Sequence, residues 1–147
     1  DAISSIGMVE HVGAERIQLY MDTLAGLLVP GGRLLNHGIA RLRDHDLTQD
    51  SPFSQRFVFP DGVPLPLSRI IGAMERAELT VSHVEGFPED YVRTLSEWIE
   101  RFESRYDRAV ALIGEQRARA WRLYLRGARR VFSSGRSSVY QVLAARA

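Results

Sequence analysis

The sequence predicts an α/β fold built around parallel strands, and three stretches of the chain carry that prediction. A short apolar strand ends at Gly7, and a second strand, Arg33 to Ile39, follows it. Between the two, apolar residues recur at helical spacing from Ala14 to Val29. A strand, a helix and a second strand in this order form a right-handed crossover whose two strands are parallel.

Polar residues stand at the expected carboxyl ends of both strands. Glu10 and His11 come directly after the first strand, and the second carries His37 near its end. Ligands of open α/β sheets bind in the crevice beyond these strand ends. We therefore expect Glu10 and His37 to face each other there as an acid–base pair or an anion site. The alternative is a purely structural role for each residue.

The chain after the second strand predicts a loop, more helices and two more strands. Residues 41–66 combine charges, phenylalanines and prolines, which is typical of a lid or binding loop, or of a loop anchored on the core by its aromatic residues. The predicted elements that follow are a helix over Leu67–Glu78, a strand over Leu79–Glu85, a long helix over Val92–Ile113, a second helix after Gly114 and a strand over Ser137–Ala144. We expect the last two strands to pair antiparallel at an edge of the sheet.

Composition excludes several kinds of chemistry. The 147 residues contain no cysteine, so disulfides, thiolate metal sites and thiol nucleophiles are excluded. The sequence has no G-x-S-x-G elbow, no Walker loop and no G-x-G-x-x-G motif, and no metal-binding motif is evident. No apolar run is long enough to span a membrane and no signal peptide opens the chain, so a cytoplasmic location is expected.

Charge is distributed unevenly along the chain. All 19 basic residues are arginines, and residues 101–147 contain 11 of them against only 3 acidic residues. Arginine binds phosphate groups through a planar fork of N–H donors. The basic region thus predicts contact with an anionic membrane or a nucleic acid, with an ordinary solvated helix face as the alternative.

Several motifs together resemble one family of enzymes. The runs Ile6–Gly13, Leu34–Ile39 and Phe57–Gly62 are similar to those of cyclopropane-fatty-acyl-phospholipid synthases and mycolic acid cyclopropane synthases. So are the spaced residues of Tyr91–Phe102 and the closing Val139–Val142. The resemblance covers the whole chain and keeps the motifs in order.

The resemblance implies the Rossmann-like sheet of class I methyltransferases, S-adenosylmethionine as methyl donor and an unsaturated phospholipid acyl chain as substrate. In that reaction the alkene attacks the methyl group, and the carbocation that forms loses a proton and closes a cyclopropane ring. The family holds a bicarbonate ion as base. By resemblance, Glu10, His37 and Tyr91 would be catalytic and hold this ion with their side chains, Ile39 would hold it with its backbone N–H, and Ile6 would lie beside the methyl donor.

The chain also departs from the family pattern. The glycine-rich cofactor loop, the acidic ribose-binding residue and an anion-contacting cysteine of the family would precede Asp1, and Ala128 stands where many relatives have a cysteine. We therefore expect residues 1–147 to be the carboxyl-terminal part of a single methyltransferase domain without its cofactor-binding half. Alone it is expected to be inactive, and to form homo-oligomers that cover an exposed strand edge.

Other functions stay open at this point. A relative that adds a methyl branch without closing a ring would carry the same motifs, and N-methyltransferases of alkaloids share part of them. A non-catalytic module that binds a membrane or a partner through its arginines is a different class of function. If the chain belongs to this family, we expect it to bind peripherally to the anionic surface of the inner membrane face. We expect no nucleic acid as a partner. Detection of a glycine-rich loop upstream of Asp1 would favour the enzyme.

Overall fold

The computed structural model describes residues 1–42 and 52–147, and within them it contains one mixed sheet. The strands are β1 (Ala2–Ile6), β2 (Arg33–Arg41), β3 (Leu79–Gly86) and β4 (Ser137–Arg146), in the order β1-β2-β4-β3. β1 and β2 are parallel, and β4 is antiparallel to both of its neighbours, β2 and β3. The strands β1, β2 and β3 therefore point the same way, and we call the edge at their carboxyl ends the sheet rim. The predicted α/β fold and the antiparallel β3–β4 pair are confirmed.

Helices cover both faces of the sheet. They are α1 (Ile17–Leu27), α2 (Pro52–Phe57), α3 (Leu67–Arg76), α4 (Pro88–Glu103), α5 (Tyr106–Ile113) and α6 (Glu115–Ser133). On one face, α1 and α3 bury Met21 and Met74 against Leu34 of β2. On the other face, α4 and α6 bury Leu95 and Phe132 against Val139 of β4. Burying apolar side chains on both faces drives this layered arrangement. None of the helices in the described ranges has both the length and the apolar character to cross a bilayer.

The segment predicted as an irregular loop over residues 41–66 is partly helical. α2 occupies Pro52–Phe57, with proline at its start and Phe53 and Phe57 one turn apart. Proline is favoured in the first turn of a helix, and aromatic residues four apart lie on one side of it, here with ring centroids 5.2 Å apart. Residues 43–51 of the predicted loop lie outside the described residues.

The long helix predicted over Val92–Ile113 is two helices, and this prediction was wrong in its continuity. α4 begins earlier, at Pro88, and ends at Glu103, while α5 begins at Tyr106. At the break, the Ser104 hydroxyl donates a hydrogen bond to the carbonyl oxygen of Arg101, 3.1 Å away. A serine that bonds its own helix in this way competes with the helical hydrogen-bond pattern. The apolar period continues across the break and conceals it in the sequence.

β2 runs further than the predicted Arg33–Ile39, so His37 lies inside the strand and not near its end. β2 continues to Arg41 because its far half pairs with β4, from Gly38 opposite Tyr140 to Arg41 opposite Ser137. β1, however, stops at Ile6, which is the register partner of His37. Beyond His37, other groups therefore take the place of β1 beside β2, and the Arg41 N–H donates to the Leu65 carbonyl oxygen at 2.9 Å.

Candidate active site

A sharp turn after β1 brings Glu10 to the sheet rim. Gly7 adopts φ +65°, a conformation that favours glycine, and its N–H donates to the carbonyl oxygen of His37 at 2.9 Å. A short 3₁₀ helix, Val9–His11, follows at once and carries Glu10. The chain thus folds back over the end of β2 instead of continuing outward.

The Glu10 carboxylate occupies the place that β1 leaves open. Its Oε1 accepts a hydrogen bond from the Ile39 N–H at 3.1 Å, and the residue is 9% exposed. Its Oε2 is buried without a hydrogen-bond partner among the described residues. A buried carboxylate oxygen without a hydrogen bond is energetically costly, so binding of a hydrogen-bond donor at this position would be strongly favoured.

Gly38 provides the space for this carboxylate. A Cβ atom at position 38 would stand 2.9 Å from Glu10 Oε2 and 2.5 Å from Val9 Cγ1. Real Cβ atoms do not approach other atoms that closely, so a side chain here would displace Val9 and Glu10. The backbone of Glu10 is held as well, because its carbonyl oxygen accepts from the Val63 N–H at 2.8 Å.

Tyr91 reaches the same site from the first turn of α4. The Phe87 N–H donates to the Val139 carbonyl oxygen at 2.9 Å, which fixes the start of this helix beside β4. Burial first, and then the negative charge of Glu10, raise the pKa of the Tyr91 phenol above its ordinary value. Tyr91 and Glu10 are therefore close enough for an electrostatic interaction. The raised pKa keeps the phenol in its neutral form, in which it can donate a hydrogen bond.

A second half-buried tyrosine, Tyr124 of α6, interacts with Tyr91. Burial, followed by interaction with Tyr91, raises the pKa of Tyr124 to about 12. Its ring packs edge-on against Phe59 at 5.5 Å and Trp121 at 5.7 Å between centroids. Edge-to-face packing of this kind forms a rigid apolar wall. No motif in the sequence assigned Tyr124 a role at the site.

The Tyr124 pKa predicts a loss of stability in alkaline solution. In the unfolded chain the phenol titrates near 10.0, whereas in the folded chain it keeps its proton to about 12. Between these values the unfolded state binds fewer protons, so the free energy of unfolding falls as pH rises, by roughly 2–3 kcal/mol in total. Urea unfolding on both sides of this window should show a smaller fall in Tyr124→Phe than in wild type. An equal fall in both proteins would contradict the prediction.

His37 is held by Gln141 of the neighbouring strand β4. The two residues are register partners, and Gln141 Nε2 lies 3.2 Å from His37 Nδ1. With the amide nitrogen of Gln141 as donor, Nδ1 accepts, and we assign the ring proton of neutral His37 to Nε2 on this basis. Gln141 belongs to the closing motif Val139–Val142, but only the register of β2 and β4 reveals its contact with His37.

Exchanging Gln141 for glutamate should reverse the tautomer of His37. In Gln141→Glu an acceptor replaces the donor, so Nδ1 must carry the proton to keep the hydrogen bond. Nitrogen NMR of the labelled ring should report the Nε2–H form in wild type and a protonated Nδ1 in this variant. Gln141→Met, which has similar length and no amide, should give a mixture of tautomers. An unchanged Nε2–H spectrum in Gln141→Glu would refute the assignment.

The structure brings some of the predicted site residues into contact and leaves others apart. Glu10 is bonded to Ile39 and interacts with Tyr91. The Ile39 N–H, which was expected to bind an anion, donates a hydrogen bond to Glu10 in the structure. The His37 ring bonds to Gln141 rather than to Glu10. Ile6 lies opposite His37 at the end of β1 and is 64% exposed. The catalytic and binding roles of these residues stay predictions.

The fold and the sheet rim define a class of protein. A solved structure of mycolic acid cyclopropane synthase CmaA1, complexed with SAH and CTAB, superimposes with a TM-score of 0.91 at 25% identity, covering 99% of this chain and 55% of that one. The fold is therefore that of the class I S-adenosylmethionine-dependent methyltransferases. The chain belongs to the mycolic acid cyclopropane synthetase family, whose profile matches residues 1–142.

Individual relatives agree with this assignment. A probable fatty acid methyltransferase of Mycobacterium tuberculosis is 36% identical over 144 residues, which are 98% of this chain and 34% of that protein. The cyclopropane-fatty-acyl-phospholipid synthase of Escherichia coli strain K12 is 30% identical over 146 residues, 99% of this chain and 37% of that protein. The chain thus spans about a third of the length of these curated relatives.

Proposed function

We propose that this chain is the carboxyl-terminal part of an S-adenosylmethionine-dependent C-methyltransferase that converts unsaturated fatty acyl chains to cyclopropane derivatives through a carbocation. The observation that carries the proposal is the Glu10 carboxylate at the sheet rim. It is buried and fixed by the Ile39 N–H, its Oε2 has no hydrogen-bond partner among the described residues, and its charge helps to raise the pKa of the Tyr91 phenol. Such a site can hold a base and receive a proton in an otherwise apolar surrounding.

The residues at the rim fit a bicarbonate ion. Glu10 Oε2 can accept the hydrogen bond of its hydroxyl group, and the Tyr91 phenol can donate to an oxygen carrying negative charge. His37, with its proton on Nε2, offers a second donor. When bound, the ion would supply a weak base. Glu10 would accept the hydrogen bond of its hydroxyl group, and Tyr91 and His37 would orient its other oxygens by donating hydrogen bonds to them.

The contribution of this chain to the methyl donor is an apolar contact at the rim. When bound, S-adenosylmethionine supplies an electrophilic methyl group on a sulfonium centre. The exposed side chain of Ile6, at the end of β1, is the residue that we assign to contact it. Its place opposite His37 would set the donor on the β1 side of the rim and the proton acceptor on the β2 side.

Aromatic residues around the rim would protect a cationic substrate. Tyr91 packs on Phe132 with ring centroids 4.6 Å apart, and Phe59 packs on Tyr124. Ring faces stabilise a positive charge, and an apolar enclosure keeps water from capturing it before a proton is lost. This enclosure supports quenching of the cation by loss of a proton instead of by capture of water.

Product analysis tests the proposed function directly. The full-length enzyme would be incubated with S-adenosylmethionine, labelled with deuterium in its methyl group, and a phospholipid with monounsaturated chains. We expect cyclopropane signals in the NMR spectrum of the lipid, and loss of one deuteron from each transferred group. Absence of any label in the lipid would overturn the proposal.

A second outcome of the same experiment is a methyl branch. It is favoured by the name of the 36% identical relative, a probable fatty acid methyltransferase, which specifies no ring. A branched product would carry the label without ring signals. Both outcomes use the same Glu10 site, and they differ in how the cation is quenched.

The arginine-rich helices would place such an enzyme on an anionic membrane. Arg129 and Arg130 of α6 are exposed and make no ion pair among the described residues, whereas Arg122 and Arg126 bind Glu103. Each arginine near an anionic surface contributes about 1 kcal/mol at moderate salt.

Reversing Arg129 and Arg130 to glutamate should weaken binding of the full-length enzyme to phosphatidylglycerol vesicles by about tenfold or more, most strongly at low salt. A flotation assay measures this binding. The matched control reverses two exposed arginines outside the basic region, Arg16 and Arg33, and should bind almost as wild type. Equal losses of vesicle binding in both variants would show that binding depends on the net charge of the protein and not on the arginines of α6.

A further inference from the structure

A tight turn at residues 59–63 leads from the end of α2 back to the sheet rim. The N–H groups of Val58 and Phe59 both donate to the Ser54 carbonyl oxygen at 2.9 Å, which ties the turn to α2. The Gly62 N–H then donates to the Phe59 carbonyl oxygen at 3.1 Å and closes the turn. A Cβ atom at position 62 would stand 2.9 Å from the Phe59 Cβ atom, so this close approach requires glycine. We call residues 59–63 the Phe59 turn.

The Phe59 turn makes two contacts with the 3₁₀ helix Val9–His11. The Val63 N–H donates to the Glu10 carbonyl oxygen at 2.8 Å, and the Phe59 ring packs edge-on against the His11 ring with centroids 6.0 Å apart. A single 3₁₀ turn is not stable alone, and no side chain of the described residues caps the start of this one. Its orientation, and with it the direction of the Glu10 side chain, therefore depends on contacts from other segments.

The Phe59 ring is also fixed on α6. Its centroid lies 5.5 Å from that of Tyr124 and 5.9 Å from that of Trp121, both in edge-to-face geometry. Edge-to-face pairs add stability beyond the burial of their apolar area. Since α6 is packed on β4 through Phe132, the Phe59 ring joins a helix that covers the sheet to the short helix that carries Glu10.

Contacts with the sheet hold only one side of the 3₁₀ helix. The Val9 side chain is 1% exposed, and Glu10 Oε1 accepts from the Ile39 N–H at 3.1 Å. A rotation about the buried Val9 side chain would draw Oε1 away from this N–H, and neither contact opposes it strongly. The Phe59 turn opposes it from the α6 side, by the Val63 hydrogen bond and the ring contact.

We propose that Phe59 is a positioning residue: the Phe59 turn holds the Glu10 carboxylate against the Ile39 N–H in the geometry that the reaction uses. The inference rests on the proposed function only for the chemical role of Glu10. The positioning itself is a property of the fold, and it can be measured without any methyl transfer.

Hydrogen exchange of the Ile39 amide, followed by NMR, tests the inference directly, since this N–H donates to Glu10 Oε1. In the full-length enzyme, Phe59→Ala should accelerate this exchange by at least about tenfold, because the carboxylate is then free to leave the amide. Phe59→Tyr keeps the ring and should keep the exchange slow. The matched control is Tyr106→Ala, which removes a ring packed between α4 and α6 and should leave Ile39 exchange as in wild type.

Turnover gives a second test, which separates positioning from folding. We expect the kcat of Phe59→Ala to fall by at least about tenfold, because small displacements of a reacting group cost much rate, while the affinity for S-adenosylmethionine stays close to normal. In the Glu10→Gln background, adding Phe59→Ala should cost little more, because no carboxylate is left to position. An equal further loss in both backgrounds would show that Phe59 acts independently of Glu10 and would overturn the proposal.

Two exchange results would also overturn it: wild-type exchange of Ile39 in Phe59→Ala, or equal acceleration in Tyr106→Ala. Circular dichroism checks that each variant folds. If Phe59→Ala does not fold, Gly62→Ala carries the test, since its added methyl group would push the Phe59 side chain out of place. Ile39 exchange that depends on Phe59, in an enzyme that never labels the lipid, would reject the proposed function and keep the positioning role.

Discussion

Glu10→Gln in the full-length enzyme should lower turnover by about 10²–10⁴-fold while the affinity for S-adenosylmethionine stays close to normal. Glutamine has the same shape, and its amide oxygen can still accept the hydrogen bond that the Ile39 N–H donates to Oε1 in the wild-type protein. The other oxygen, Oε2, becomes an NH₂ group that donates instead of accepting. The position buried beside Gly38 would then lose its negative charge and its capacity to hold a proton.

A second measurement separates this loss from a general disturbance of the site. The Glu10 charge is one cause of the raised Tyr91 pKa, so the pKa of Tyr91 should move down towards its ordinary value in Glu10→Gln. Absorbance titration against Tyr91→Phe identifies this phenol. Glu15→Gln, a change at an exposed position outside the site, is the control for altered net charge. If affinity for the methyl donor fell and turnover at saturation did not, Glu10 would belong to the donor pocket.

Much of the sheet could be predicted from short patterns. The apolar strand that ends at Gly7, the helical period after it and the second strand predict a parallel crossover, and β1 and β2 pair in that way. The alternating residues of β3 and β4 likewise predict their antiparallel pair. These elements are local in sequence, and burial of one face imposes the period that reveals them.

The contacts of the site could be predicted only in part. Glu10 and Ile39 meet because β1 stops short of β2, whereas the sequence pattern paired Glu10 with His37 and only the family resemblance pointed to the Ile39 N–H. The bond between His37 and Gln141 joins residues 104 apart and depends on the register of β2 with β4. Register follows from the whole sheet, and no local pattern contains it.

The missed features are those in which local patterns mislead. A run of prolines and charges concealed α2, whose Phe53 and Phe57 pair only once the helix forms. Gly38 reads as an ordinary strand glycine, although the space beside it is filled by Val9 and Glu10. Its importance comes from the approach of another segment, which the sequence of β2 does not encode.

The second large effect is expected for Tyr91→Phe, through loss of one hydrogen-bond donor. The ring should remain packed on Phe132, with centroids 4.6 Å apart, so the fold and the apolar wall are kept. What disappears is a phenol O–H that burial and the Glu10 charge hold neutral. Removing one donor from a preorganised anion site typically lowers kcat by about 10²–10³-fold.

The measurement for Tyr91 is kcat on a monounsaturated phospholipid, together with urea unfolding. Tyr106→Phe on α5 is the matched control, and it should keep both activity and stability. Because the Tyr91 pKa is raised, the wild-type phenol keeps its proton up to higher pH than a free tyrosine, so its donor function should persist across the neutral and mildly alkaline range. If raising the pH caused activity to fall already below about pH 9 through loss of this proton, the assignment would be contradicted. Wild-type kcat in Tyr91→Phe would contradict it too, and would leave His37 as the donor to the anion.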